Sequence, residues 1–141
     1  VNIESAHAIL AGLDPSDEMG YALSFGKLWT VHLNDQNGMK FDQDKAFGSA
    51  DLRRAFNQVR ILDRYDYGRK GEWVGLDVKA MRTQKADRAT RHLSNSREMF
   101  LRLLDISRGL NPAAVDRMIR ERDYEALDLY IMKALTGGGS H

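Results

Sequence analysis

Leu52, Ala55, Phe56, Val59 and Leu62 recur at i, i+3, i+4, i+7 and i+10, one face of a helix. Leu93, Phe100, Leu103, Leu104 and Leu110 predict a longer helix over about residues 86–109. Val115, Met118 and Ile119 mark a short helix, and Leu127, Tyr130, Ile131, Ala134 and Leu135 a last one that stops at Gly137-Gly138-Gly139. Two apolar, β-prone segments break this rhythm: Leu28–Leu33 and Trp73–Val78. Each follows a helix and precedes another, as in a parallel α/β sheet, and Val1–Glu4 reads as the end of a third such strand.

Punctuation supports these boundaries. Asp14-Pro15 and Asn111-Pro112 each pair an N-cap with a proline suited to the first helical turn. Ser49 and Asp123 are expected to cap the helices that follow them. No internal repeat is visible, and residues 137–141 read as a flexible tail outside the fold.

Composition narrows the classes. Over 141 residues, 43% hydrophobic and 29% charged positions are those of a globular chain of single-domain size. With 21 basic and 20 acidic residues the net charge is +1, which gives no electrostatic footprint for nucleic acid or an anionic membrane. The absence of cysteine excludes disulfides, thiolate metal sites and a cysteine nucleophile. No apolar run approaches the roughly 20 residues that span a bilayer, and Val1–Glu4 carries no leader pattern, so the expected compartment is the cytoplasm.

Residues able to bind a hard cation gather at the C-terminal ends of the strand segments. Glu4 ends the stub, and His7 shares its face if residues 4–11 turn into a helix. His32 and Asn34 end the second strand, Asp42 and Asp44 follow in Lys40-Phe41-Asp42-Gln43-Asp44, and Asp77 ends the third, with Lys79 two residues on. In an extended segment Asp42 and Asp44 would point the same way and converge on one ion. Taken singly, each has a plain structural reading: a turn aspartate, a core histidine, a solvated pair. Asp77 resists it, because a carboxylate in a buried strand costs several kcal/mol unless paired or coordinated. Three successive strands ending in polar groups at one rim are what a barrel active site requires. Carboxylate and imidazole without thiolate suit Mn²⁺, Mg²⁺ or Co²⁺. His92 falls among charged residues, His141 lies in the tail, and Arg53 to Arg64 reads as a solvated helix face. Trp29 and Trp73 could stack on a sugar, although strand tryptophans usually belong to the core.

With these residues placed, the chain resembles the xylose isomerase-like TIM-barrel sugar isomerases. The resemblance is carried from residue 1 to about 110 by Glu4–Leu13, Gly26–Gln36, Lys40–Asp44, Phe47-Gly48, Asp51-Leu52, Asp77-Val78-Lys79 and Arg82-Thr83. It implies the C-terminal portion of a (β/α)8 barrel, from the end of strand six through strand eight, over residues 1–110. A helical extension would follow over 111–136, of the kind that packs on neighbouring subunits. It also implies two divalent cations. Glu4 would bridge them; His7, Asp42 and Asp44 would hold the catalytic one; His32 and Asp77 the other. His32 stands where xylose isomerases carry aspartate, a departure that looks like the rhamnose isomerase branch.

The implied activity is an aldose–ketose interconversion that moves hydrogen between C1 and C2 of a monosaccharide. Asp44 and His7 would serve the catalytic cation, with Asn34, Lys79 and Trp29 as supporting or substrate-side contacts. On this resemblance the first five strands lie outside the chain. Stability would then call for a complementary N-terminal half or for self-association into a homo-oligomer. A metal-dependent sugar epimerase of the same superfamily and an inactive metal- or partner-binding fragment are the alternatives. The superfamily's endonucleases fit less well, since they carry Asp-x-His where this chain has Asp42-Gln43-Asp44.

Overall fold

A computed structural model describes residues 1–137; the last four positions, most of the expected tail, lie outside the described residues. Three short strands, β1 (Asn2–Glu4), β2 (Thr30–Leu33) and β3 (Trp73–Leu76), form one parallel sheet in the order β1-β2-β3. Helices α1 (Ser5–Leu10) and α2 (Pro15–Ser24) connect β1 to β2, and α3 (Leu52–Arg64) precedes β3. A 3₁₀ turn at Ala86–Arg88 then leads into α4 (Arg91–Gly109), α5 (Pro112–Glu121) and α6 (Tyr124–Leu135). The chain is therefore mixed α/β, rich in helix, with a small parallel sheet. No described helix is long and apolar enough to cross a membrane.

Local chemistry starts the helices where expected at three of four places. Asp14 accepts from the Ser16 amide, Asn111 from Ala113 and Ala114, and Asp123 from Ala126. The fourth differs. Asp51, not Ser49, caps α3 by accepting from Arg54 N at 2.9 Å. The buried Asp35 carboxylate holds the amides of Ala50 and Asp51 at 2.7 and 3.1 Å, which sets the start of the helix. The expected 86–109 helix is interrupted between residues 88 and 91 and begins in earnest at Arg91.

The core lies on one face of the sheet. Val31 and Leu33 meet Met19 and Ala22 of α2, Ala55, Phe56, Val59 and Leu62 of α3, and Leu103 of α4; Val115 and Ile131 join the same cluster from α5 and α6. Strand alternation sends the other set to the opposite face, and pairing aligns it in two rows: Asn2–Thr30–Trp73 and Glu4–His32–Gly75. Thr30 Oγ1 donates to Asn2 Oδ1 at 2.9 Å, so the uncovered face is polar as well as open. Both tryptophans depart from the core expectation: Trp29 is 54% exposed and Trp73 70%.

Behind β3, Tyr67 Oη donates to the Trp73 carbonyl at 3.3 Å. Burial, with Glu72 adding to it, pushes the Tyr67 phenol up to about 12. The neutral form is therefore favoured by folding. Stability is unaffected below the unfolded value near 10 and falls as pH rises from about 10 toward 12. Urea midpoints should decline over that window in the wild type, and Tyr67→Phe should flatten the decline.

Candidate metal centre

Glu4 is the last residue of β1 and the residue before α1, so its side chain sits at the C-terminal rim of the sheet. One helical turn on, His7 brings Nε2 to 3.3 Å from Glu4 Oε1. Asp42 Oδ2 approaches the same imidazole nitrogen at 3.6 Å. The other Glu4 oxygen faces the next strand: Oε2 lies 3.7 Å from His32 Nδ1, which is 3.6 Å from Asp77 Oδ2. Two trios result, Glu4–His7–Asp42 and Glu4–His32–Asp77, each with ligand atoms within 4.8 Å of one another. Glu4 turns one oxygen to each.

The donor set fits a divalent cation. Neighbouring ligand atoms about 2.1 Å from one ion stand roughly 3.0–3.4 Å apart in tetrahedral or octahedral arrangement. The separations in the two trios are within that range or a few tenths of an ångström above it. Glu4 is nearly buried, with a side chain 10% exposed, while the histidines and Asp77 remain accessible. An ion can therefore enter from solvent and meet one carboxylate already fixed in place. Gly75 completes the His32 setting. A Cβ built there would stand 3.3 Å from His32 Cδ2, so the missing side chain is the space the imidazole occupies.

Asp44 takes a different direction from Asp42. Its φ of +44° breaks the extended alternation that would have aimed the two carboxylates alike. The side chain is buried, receives Asn34 Nδ2 at 2.9 Å and pairs with the Lys79 ammonium. The Lys79 amide closes the same joint by donating to the Asp44 carbonyl at 2.7 Å. Hydrogen bonding to Asp44, then the attraction of its charge, raises the Lys79 pKa. Asn34 links this pair to the trios. Its Nδ2 also donates to Glu4 Oε1 at 3.2 Å, and its Oδ1 accepts from the Ala6 amide at 2.7 Å. Sequence spacing thus brings Glu4, His7, His32, Asp42 and Asp77 directly together, with Asn34 one hydrogen bond behind, Asp44 reached through Asn34, and Lys79 through Asp44. Trp29, three residues before His32 and ahead of β2, is at the opposite end of that strand.

Sequence reasoning missed three contributors. Gln36 sits in a polar, glycine-containing stretch that reads as solvated loop, yet it is 2% exposed. Asp35 is equally hidden. Gly75 acquires its meaning only when β3 is paired with β2. Position was the available signal, since both polar residues follow directly on Asn34. A separate groove of about 510 Å³ between the α1–α2 turn, the 36–39 loop and the start of α3 contains none of the trio residues.

A xylose isomerase of Streptomyces lividans is 41% identical to this chain over 87 residues, 62% of the chain and 21% of that protein. The aligned region thus spans about a fifth of the length of the curated relative. No protein-family profile matches the chain. The chain is accordingly related in sequence to a xylose isomerase.

Proposed function

We propose that this chain supplies the cation-binding rim of a metal-dependent aldose–ketose sugar isomerase. The observation that carries the reading is Glu4, one carboxylate with an oxygen facing each of two imidazole–aspartate pairs. Similarity to a xylose isomerase supports the reaction class. Glu4, His7 and Asp42 would hold one cation and Glu4, His32 and Asp77 the other, with Mn²⁺, Mg²⁺ or Co²⁺ suited to the donors. Such ions, when bound, act as Lewis acids on the carbonyl and hydroxyl oxygens of a monosaccharide.

The remaining chemistry belongs to side chains of this chain. Asp44 and Lys79 form a charged pair beside the His7 trio, and the ammonium, well exposed, can donate to a sugar oxygen. Asn34 fixes Glu4 and Asp44 relative to each other. His32 stands in a position we read as the rhamnose isomerase variant, a departure that argues against xylose as the substrate and does not by itself name another sugar.

We place the three strands within a larger barrel. Two features support this: among the described residues, β1 and β3 each leave an outer edge without a strand partner, and no layer covers the face carrying Asn2, Glu4, Thr30 and His32. Parallel sheets are ordinarily covered on both faces. The activity is therefore proposed for the completed barrel, with the α5–α6 region as its helical extension toward neighbouring subunits. The test is a Mn²⁺ titration followed by a sugar-conversion assay, with and without the first five strands supplied as a separate chain. We expect two bound equivalents and conversion of an aldose to its ketose when the barrel is complete. One equivalent with C-epimer formation instead would favour an epimerase. No cation uptake in the completed barrel would end the proposal.

A further inference from the structure

Asp42 reaches His7 from a stretch with no regular structure, residues 36–44, most of it exposed. Something must hold that stretch in one shape. At its base, Asp35 and Lys45 exchange two backbone hydrogen bonds of 2.9 Å. Inside it lies the Gln36 side chain. Nε2 donates to the carbonyls of Gly38 at 2.8 Å and Phe41 at 2.7 Å, and Oε1 accepts from the Gln43 amide at 3.0 Å. Both amide protons are used, and the oxygen is engaged. Among the described residues, neither carbonyl accepts from a backbone amide, so Gln36 takes the place that a strand partner would have. Gln43 answers from the outside, its Oε1 accepting from Asn37 N at 2.7 Å. Two of the three groups tied to Gln36, at residues 41 and 43, flank Asp42 on both sides in sequence, and the third is the Gly38 carbonyl.

We propose that Gln36 is a positioning residue for the Glu4–His7–Asp42 cation site, a role that rests on the cation-binding reading above. It touches no ligand atom of that site. It acts through the backbone on either side of Asp42, and it has no comparable link to Asp77 or His32, which hang from β3 and β2. Its effect is therefore confined to one of the two ions. Gly75 offers the reciprocal case, because a Cβ there would meet His32 and not the 36–44 stretch among its nearest neighbours.

The experiment compares Gln36→Leu, Gln36→Glu and Gly75→Ala with the wild type by Mn²⁺ titration, counting bound ions by electron paramagnetic resonance. Hydrogen exchange of the Gln43 amide is read in parallel without metal. In Gln36→Leu one Mn²⁺ equivalent should weaken about 10- to 100-fold, the scale seen when groups behind a ligand are lost. The other should stay within about threefold, and the Gln43 amide should exchange at least tenfold faster. Gln36→Glu keeps the acceptor for Gln43 but sets a carboxylate oxygen against the Gly38 and Phe41 carbonyls, so it should weaken the same equivalent at least as much as Gln36→Leu. Gly75→Ala should weaken the opposite equivalent and leave Gln43 exchange unchanged. Equal weakening of both ions in the Gln36 variants, or no weakening, overturns the inference while leaving the cation-binding reading in place. All variants are titrated with the first five strands supplied, and a completed wild-type barrel that takes up no Mn²⁺ overturns both.

Discussion

Glu4→Ala should abolish, at one stroke, the divalent-cation binding proposed for both trios. In the structure Glu4 is the one residue common to them, with Oε1 beside His7 and Oε2 beside His32. Losing it takes an anionic ligand from each ion and leaves two imidazoles with one carboxylate apiece. Each affinity should fall on the order of a hundredfold or more, beyond the 10- to 100-fold typical of groups behind the ligands. His7→Ala and His32→Ala should each lower only one. If the sites are coupled through Glu4, the double His variant should resemble Glu4→Ala rather than the sum of independent losses. The fold should survive. Glu4 precedes α1 without making a side-chain cap bond, and Asn34 Nδ2 keeps Asp44 as an acceptor. Isothermal titration with Mn²⁺, alongside thermal melts of the metal-free chains, reads both effects. Retention of one tight ion in Glu4→Ala would show that the two trios do not share a ligand.

What the sequence revealed was chemistry that acts over one turn or one strand. Asp14, Asn111 and Asp123 cap helices through amides two or three residues on, so residue type and position were enough. Glu4 and His7 meet because three residues make nearly one helical turn. Ser49 failed as a cap for the opposite reason: Asp35, fifteen residues earlier than Ala50, claims the amides that define the start of α3. Asp42 and Asp44 parted for a similar one. Alternation holds only for extended backbone, and the Lys79 and Asn34 partners that keep Asp44 turned inward come from two other segments. The tryptophans show a limit of composition. An aromatic strand residue is apolar whether its strand is central or at an edge, and Trp73 lies on the uncovered side of an edge strand. Gln36 was invisible because a buried loop amide and a solvated one are the same letter.

Asn34→Asp should be among the most destabilising single-atom-scale changes available in the chain, and the reason lies in its three hydrogen bonds. The native amide donates to two carboxylates, Glu4 and Asp44, and accepts from the Ala6 amide, all with 1% of the residue exposed. A carboxylate at position 34 keeps the bond from Ala6. It turns both donations into contacts between like charges at about 3 Å, with Lys79 the nearest cation to share among them. Leaving buried polar groups unpaired costs about 1–3 kcal/mol each, more when they are charged. Two such losses amount to roughly 2–6 kcal/mol near neutral pH, a large part of what holds a domain of this size. The sign with pH follows. Like-charge neighbours raise the new carboxyl above its unfolded value, so the native state binds an extra proton, and stability should recover as pH falls through that raised value. Asn34→Ala should show a smaller loss without the acid recovery. Divalent cations should offset part of the Asn34→Asp deficit, because an ion on Glu4 neutralises one member of the cluster. Urea unfolding at several pH values, with and without Mn²⁺, separates these cases. An Asn34→Asp chain as stable as the wild type at neutral pH and indifferent to Mn²⁺ would mean that Glu4, Asn34 and Asp44 do not form one electrostatic unit.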